Sequence, residues 1–142
     1  MRSPARTAPN KYPRKMNKRE AGVLGKFAQQ MASFLYDYSA DGGAVGTYNS
    51  GISLPANAVV TKVYTDEQSA VAGATSITLK AGSTALTGAM DLTASSGLQS
   101  PALAGAAAGI KLASASELNI AIASAAATAG KVRFAVEFYI SE

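Results

Sequence analysis

Residues 129–140 read AGKVRFAVEFYI, and this stretch decides the fold. Large apolar side chains take every second position from Val132 to Ile140, and Arg133, Glu137 and Tyr139 lie among the residues between them. A period of two is typical of a β-strand with one buried face, since successive side chains of a strand point to opposite sides. The stretch therefore predicts a strand whose apolar face lies against a core.

Similar patterns occur upstream, in FLYDYS (34–39), AVVTKVYTD (58–66), TSITLK (75–80) and ELNIAIAS (117–124). In the second of these, the alternation places Val59, Thr61 and Val63 on one face. Turns rich in Gly, Ser and Pro separate the stretches, and no strand–helix–strand rhythm appears. Short strands divided by such turns indicate a mainly β protein, an antiparallel sandwich or barrel.

The Ala-rich region is ambiguous. Residues 102–129 contain 13 alanines, and Ala is the best helix former, whereas Gly105 and Gly109 oppose a helix. We expect a loop over 100–109 and a strand over 110–123, and the sequence leaves residues 102–115 open between strand and helix.

The N-terminus differs in charge from the rest of the chain. Residues 1–26 hold eight Lys or Arg and one acid, for a net charge of +7, whereas residues 27–142 hold five bases and eight acids, for −3. Pro4, Pro9 and Pro13 prevent a continuous helix in the first part. We expect a basic arm over 1–33 and a β domain over 34–142.

A short helix is possible late in this arm. Asn17 can cap it, with Glu20 three residues later in the capping-box position. Apolar residues then follow at near-helical spacing: Val23, Leu24, Phe27 and Met31. Gly22 and Gly25 each weaken such a helix by about 1 kcal/mol relative to Ala.

The basic arm holds the candidate partner-binding residues. They are Arg2, Arg6, Lys11, Tyr12, Arg14, Lys15, Lys18 and Arg19. Such cations can neutralise phosphates or pair with carboxylates on an acidic protein surface. Tyr12 is the one aromatic residue among them, and a single ring gives no stacking platform for single-stranded nucleic acid. We therefore favour a protein partner over nucleic acid.

The residue types exclude most catalytic chemistry. The chain has no Cys and no His, which removes disulfides, thiolate nucleophiles, Cys/His zinc sites and Ser–His–Asp triads. Asp66 and Glu67 are adjacent, so their side chains diverge, and we expect them in a solvated turn at the end of a strand. Asp37 and Asp41 lack the further ligands of a calcium loop and are better explained as turn residues. We expect no enzyme activity, cofactor, metal or membrane association.

Two segments carry a family resemblance. The run FLYDYSADGGAVGTYNSGISLPANAVVTKVYTDEQSA (34–70) and the closing AGKVRFAVEFYIS (129–141) resemble a family of small structural proteins of tailed-bacteriophage virions. The shared motifs are a GGAxGT-type turn, the LPANAVVT element (54–61) and an AGK…VEF strand. The basic arm lies outside this pattern.

The resemblance implies a β-sandwich of jelly-roll type that acts as a decoration, or cement, protein on the outer surface of the capsid. Its partner would be the major capsid protein, and the family implies a homo-oligomer, for which we favour a trimer. Two alternatives stay open. One is a host-attachment module that binds glycans through Tyr48, Tyr64 or Tyr139, and the other is a head–tail connector component whose arm touches DNA.

Overall fold

The structure is a computed structural model, and it describes residues 28–94, 97–105 and 108–141. The elements, in chain order, are β1 (Gln30–Asp37), the one-turn helix α1 (Tyr38–Asp41), β2 (Gly46–Leu54), β3 (Ala58–Ala72), β4 (Ser76–Ala81), β5 (Thr84–Ala85), β6 (Gly97–Gln99), β7 (Ile110–Lys111), β8 (Ser116–Ala123) and β9 (Ala129–Ile140).

The strands form two antiparallel sheets. Sheet A has the order β1–β9–β3–β6, and β7 also pairs with β3. Sheet B has the order β2–β8–β4–β5. The prediction of a mainly β, antiparallel sandwich is confirmed, and its jelly-roll type stays a prediction.

The apolar faces of the two sheets pack together as the core. Val132, Phe134 and Val136 of β9 are fully buried, as the period of two predicts. Phe134 stacks on Phe34 of the neighbouring β1, with ring centroids 5.3 Å apart. From sheet B, Leu118, Ile120 and other apolar residues of the central strands complete the core. The pattern of AGKVRFAVEFYI is therefore that of a central strand buried on one face.

A bulge changes the pattern of β3. The pairing with β9 shifts between Val60 and Lys62, so Val60 and Val63 are both buried, whereas Val59 is half-buried. The prediction that Val59, Thr61 and Val63 share one face is wrong for this reason. An extra residue in one strand moves every following side chain to the opposite face of the sheet.

The first strand begins earlier than the sequence indicates. β1 starts at Gln30, and its register against β9 pairs Met31 with Glu137. Met31 is therefore a strand residue, and its assignment to the stripe of a helix is wrong. The rest of that possible helix, and the arm before it, lie outside the described residues. The boundary between residues 33 and 34 stays a prediction.

The Ala-rich region contains two strands instead of one. The expected strand over 110–123 divides into β7, which pairs with β3 in sheet A, and β8, which is central in sheet B. Leu112 lies between them and is buried, and its amide bonds the Ala58 carbonyl at 2.8 Å. The chain crosses from one sheet to the other here. In the described part of 102–115 there is no helix.

Candidate interaction surfaces

The eight sequence-predicted site residues lie outside the described residues, so their role stays a prediction. They are Arg2, Arg6, Lys11, Tyr12, Arg14, Lys15, Lys18 and Arg19. Within residues 28–94, 97–105 and 108–141, two surfaces have the geometry of interaction sites. One is a groove between β1 and β2, and the other is the outer face of sheet A.

The groove lies where the sandwich is open at one side. Among the described residues β1 pairs only with β9 and β2 only with β8, so each is an edge strand of its sheet. The cavity between them has a volume of about 330 Å³, and its lining includes Leu35, Tyr36, Asp41, Tyr48 and Asn49. Edge strands present backbone groups that another extended segment can bond.

Two tyrosines form one wall of this groove. The Tyr36 hydroxyl donates to the Gly42 carbonyl at 2.7 Å, and the Tyr48 hydroxyl donates to the Ala44 carbonyl. Their rings meet edge to face with centroids 5.8 Å apart. Burial raises the pKa of Tyr36 to about 12, with smaller contributions from Tyr48 and the nearby carboxylates. Because both hydroxyls bond the backbone, these phenols hold the turn after α1 in place.

Asp37 and Asp41 stabilise the same turn. Asp37 is the N-cap of α1 and accepts hydrogen bonds from the Ser39 amide (3.0 Å) and hydroxyl (2.7 Å). These bonds, with a smaller contribution from Lys131 at 3.7 Å, lower the pKa of the Asp37 carboxyl. Asp41 accepts from the Asp37 amide at 2.9 Å. Asp37 is thus the last residue of β1 and Asp41 the last residue of α1, and both carboxylates bond the backbone of this single helical turn.

The outer face of sheet A carries exposed apolar side chains. Leu98 of β6 is 69% exposed and Met31 of β1 is 58% exposed. Together with Tyr64 and Ala135 they line a shallow hollow of about 240 Å³. The sequence did not indicate this surface, because its residues come from four strands whose pairing no local pattern reveals.

The three tyrosines proposed for glycan binding do not form one platform. Tyr48 lies in the groove, whereas Tyr64 and Tyr139 lie on sheet A, on β3 and β9. Lys62 lies over the Tyr64 ring, 5.9 Å from its centroid. Tyr139 pairs with Val59, and Tyr64 pairs with Ala135, four residues away along β9.

The adjacent acids of β3 were placed wrongly by the sequence interpretation. Asp66 and Glu67 lie inside β3 and not in a solvated turn at its end, because this strand continues to Ala72. Asp66 pairs with Arg133 on the outer face, whereas Glu67 is buried, with 4% exposure. Since their side chains lie on opposite faces, they cannot act on one substrate atom.

Metal and membrane features are absent from the part of the chain that the structure describes. Residues 28–94, 97–105 and 108–141 contain no cluster of three or more His, Cys, Asp or Glu that could hold a metal ion. The same residues include no helix long and apolar enough to cross a membrane.

Comparison with known proteins identifies the fold. No family model and no curated protein matches the sequence. A chain in the capsid asymmetric unit of cyanophage Pam1 superposes with a TM-score of 0.61 and 14% identity, over 95% of this chain and 98% of that chain. A chain in the acidic stable capsid structure of Helicobacter pylori bacteriophage KHP30 gives a TM-score of 0.54 and 15% identity, over 80% and 89%. Likeness at these identities shows a shared fold.

Proposed function

We propose that this protein is a non-enzymatic structural component of a phage virion, a decoration or cement protein on the outer surface of the capsid. One observation carries the proposal: the two-sheet sandwich matches, over nearly the full length of both chains, a chain of a phage capsid asymmetric unit. The sequence motifs of residues 34–70 and 129–141 support the same assignment.

The surfaces of the domain suit such a role. The exposed apolar face of sheet A and the open groove beside β1 offer area that assembly can bury. Any partner that binds only the folded state stabilises it by mass action. A jelly-roll type of sandwich belongs to the same proposal. It is supported by the first four strands, which alternate between the sheets, with β1 and β3 in sheet A and β2 and β4 in sheet B.

The basic arm is the proposed anchor, and the major capsid protein is its proposed partner. The arm carries +7 and the remaining residues carry −3, so the charges of the chain are separated along its length. An extended basic segment that orders on docking can wrap a large acidic surface. The same proposal includes a homotrimer, which sedimentation equilibrium of the full-length protein would reveal as three times the chain mass.

The test is co-sedimentation of full-length protein with undecorated phage capsids. We expect the wild-type protein to co-sediment and the variant Arg14→Ala/Lys15→Ala to bind at least about tenfold more weakly, a loss of about 1.4 kcal/mol. The variant Lys80→Ala/Lys111→Ala removes the same charge from the β domain, and it should bind like the wild type.

Two outcomes would contradict the proposal in different ways. Equal binding by both double variants would show that the arm is not the anchor. Absence of binding by the wild-type protein would remove the cement role, and the glycan-binding and connector alternatives would then be tested with glycan arrays and duplex DNA.

A further inference from the structure

The outer face of sheet A has exposed apolar side chains that nothing in the described chain covers. Leu98, Met31 and Leu35 are 69%, 58% and 38% exposed. They lie around Tyr64 and Ala135, which are half-buried, and a hollow of about 240 Å³ lies over Ala135. Contiguous apolar patches on a protein surface mark sites of contact with other molecules. The charges around this patch indicate which molecule fits it.

The strand register arranges this face as three rungs across β1, β9 and β3. Its side chains point away from the core, because the alternating residues between them, such as Phe34, Phe134 and Val63, are buried. The rungs are Met31–Glu137–Lys62, Ser33–Ala135–Tyr64 and Leu35–Arg133–Asp66, and the last continues to Leu98 of β6. The central rung therefore carries no charge, whereas each outer rung carries one acid and one base.

The two outer rungs carry their charges in opposite order. On β9 the acid is Glu137 and the base is Arg133, whereas on β3 the base is Lys62 and the acid is Asp66. A rotation that exchanges the two rungs therefore brings a base to the place of every acid and an acid to the place of every base. Such a face is complementary to itself, as a two-fold contact between identical subunits requires.

The charge pattern also selects the direction of the two-fold axis. An axis that runs across the strands, along the central rung, puts Glu137 opposite the partner's Arg133. The same axis puts Lys62 opposite the partner's Asp66. An axis along β9 would instead put Glu137 opposite the partner's Glu137, and like charges that face each other across an interface are unfavourable.

We propose that the outer face of sheet A binds a second copy of this chain about a two-fold axis along the rung Ser33–Ala135–Tyr64. Exposed Met31 then meets the partner's Leu35, and the two hollows over Ala135 face each other. Sheets that pack face to face lie about 10 Å apart, with strands rotated by about 30°. At the outer rungs, about 7 Å from the axis, this rotation displaces a side chain by about 4 Å, less than one strand spacing, so the charged pairs stay opposite.

The size of the face determines how strong this contact can be. From β1 to β6 the sheet is about 19 Å wide, and the rungs from Tyr139 to Lys131 span about 27 Å. The contact therefore covers about 500 Å² of each copy, or about 1,000 Å² in total, at the lower end of specific interfaces. We expect a weak association that depends on protein concentration.

This inference goes beyond the proposed function and does not rest on it. The proposed trimer needs a different surface, because a three-fold axis joins two unlike patches, whereas a two-fold axis joins a patch to itself. Contact through sheet A can therefore join two single chains or two trimers, and in either case it doubles the mass of the species. The other candidate occupant of the face is a capsid protein.

Exchange of charges in the full-length protein tests the contact. Asp66→Lys/Arg133→Glu exchanges one cross-strand pair, and Lys62→Glu/Glu137→Lys exchanges the other. Each double variant keeps opposite charges paired within its own sheet and leaves the net charge of the chain unchanged. In the proposed dimer of either variant, however, every exchanged group faces a like charge of the partner.

We expect sedimentation equilibrium of the wild-type protein to show a species of doubled mass as concentration rises. The dissociation constant of this association should rise at least about tenfold in each double variant. An equimolar mixture of the two variants should associate within about threefold of the wild type, because every exchanged group then faces an opposite charge. Recovery on mixing also shows that both variants are folded.

Three results would overturn the proposal. They are a wild-type protein without a species of doubled mass, double variants that associate as tightly as the wild type, and a mixture that associates no more tightly than its components. In the first case a capsid protein becomes the occupant of the face, which loss of capsid binding by both double variants would reveal.

Cross-linking of the full-length protein gives a second readout. The chain has no Cys, so one introduced Cys reports on one position alone. In Ala135→Cys the two thiols lie beside the axis, so a short bismaleimide should link two chains at least about tenfold faster than in Ala121→Cys. Ala121 is also half-buried, and it lies on the outer face of β8 in sheet B, between core-facing Ile120 and Ile122. Equal rates at the two positions would contradict the two-fold contact.

Discussion

At the scale of single residues, Gly130 shows why the AGK motif needs its glycine. Its φ is +132°, and a Cβ built on it would lie 2.7 Å from the Val71 Cα and 2.8 Å from its Cγ2. No other residue type fits there without moving the backbone of β3. The AGK motif, which is part of the family resemblance, therefore has a steric explanation: Gly130 lets β9 lie close to Val71 of β3.

We predict that Gly130→Ala lowers the free energy of unfolding by about 2–3 kcal/mol, because the positive φ and the overlap with Val71 both add strain. Urea denaturation of the full-length protein is the measurement. Gly88→Ala is the control, since Gly88 has no heavy atom within 4 Å of the added methyl group, and it should change stability by less than about 0.5 kcal/mol. Equal effects of the two variants would refute the steric explanation.

Tyr36 makes the free energy of unfolding fall at alkaline pH. Burial raises its folded-state pKa from 10.0 to about 12, so the folded protein favours the neutral phenol. The stability from this preference is fully present below the unfolded pKa of about 10, and it is lost as pH rises to about 12.

We predict that the free energy of unfolding of Tyr36→Phe falls less steeply than that of the wild type over the same pH window, because the variant has no phenol to ionise. Urea denaturation at a series of pH values measures this. The variant should be less stable than the wild type at neutral pH, since it loses the hydrogen bond to the Gly42 carbonyl. Tyr64→Phe, on the outer face of sheet A, controls for removal of a tyrosine hydroxyl elsewhere. The explanation fails if both variants keep the wild-type slope.

At the scale of elements, the strands of sheet A differ in how many neighbours support them. β9 is paired on both sides along most of its length, with β1 and β3 as neighbours. β6 pairs over three residues and β7 over two, each on one side within the described chain. Local opening needs less free energy where few contacts hold a strand.

We predict that backbone amides of Val132–Phe138 exchange with solvent deuterium at least about a hundredfold more slowly than those of Gly97–Gln99, after correction for intrinsic rates. Hydrogen-exchange mass spectrometry with overlapping peptides resolves the two segments. Similar protection in both segments would mean that sheet A opens as one unit, which would contradict the prediction that β6 opens more easily than β9.

The long alternating elements could be predicted from sequence. In β9, β4 and β8 each second residue is apolar without interruption, and the predicted inward residues of β9, such as Phe134, are buried. The phase of β3 could not be predicted, because the bulge after Val60 depends on pairing with β9. β6 and β7 are too short to show any period. Their existence depends on β3 as a template.

Sites were harder to predict than strands for a physical reason. Charge separation along the chain is visible in the sequence, and it indicated the arm. The apolar face of sheet A combines single residues from several strands, such as Met31 and Leu98, which are 67 positions apart and meet only after pairing. Glu67 looked like a turn residue because the strand that pairs with it, β9, comes from the far end of the chain.

At the scale of the whole molecule, the separation of charge should make capsid binding depend on salt. The arm has +7, and exposed charges are screened beyond about 10 Å at 0.1 M salt and about 3 Å at 1 M. We predict that the affinity of full-length protein for capsids falls steadily as salt is raised, with a smaller slope for Arg14→Ala/Lys15→Ala. Binding titrations at several salt concentrations measure this. Parallel slopes for the variant and the wild type would contradict an electrostatic role of the arm.

The position of β9 in the chain has a consequence for biosynthesis. This strand lies between β1 and β3, yet it leaves the ribosome after every other described element. Until then no strand joins β1 to β3, although β6 and β7 can already pair with β3. Sheet A therefore closes at a late stage of synthesis, through contacts between residues about 100 positions apart, such as Phe34 with Phe134. Nascent chains that stop before Ala129 cannot complete sheet A, so they are excluded from any assembly that recognises the folded domain.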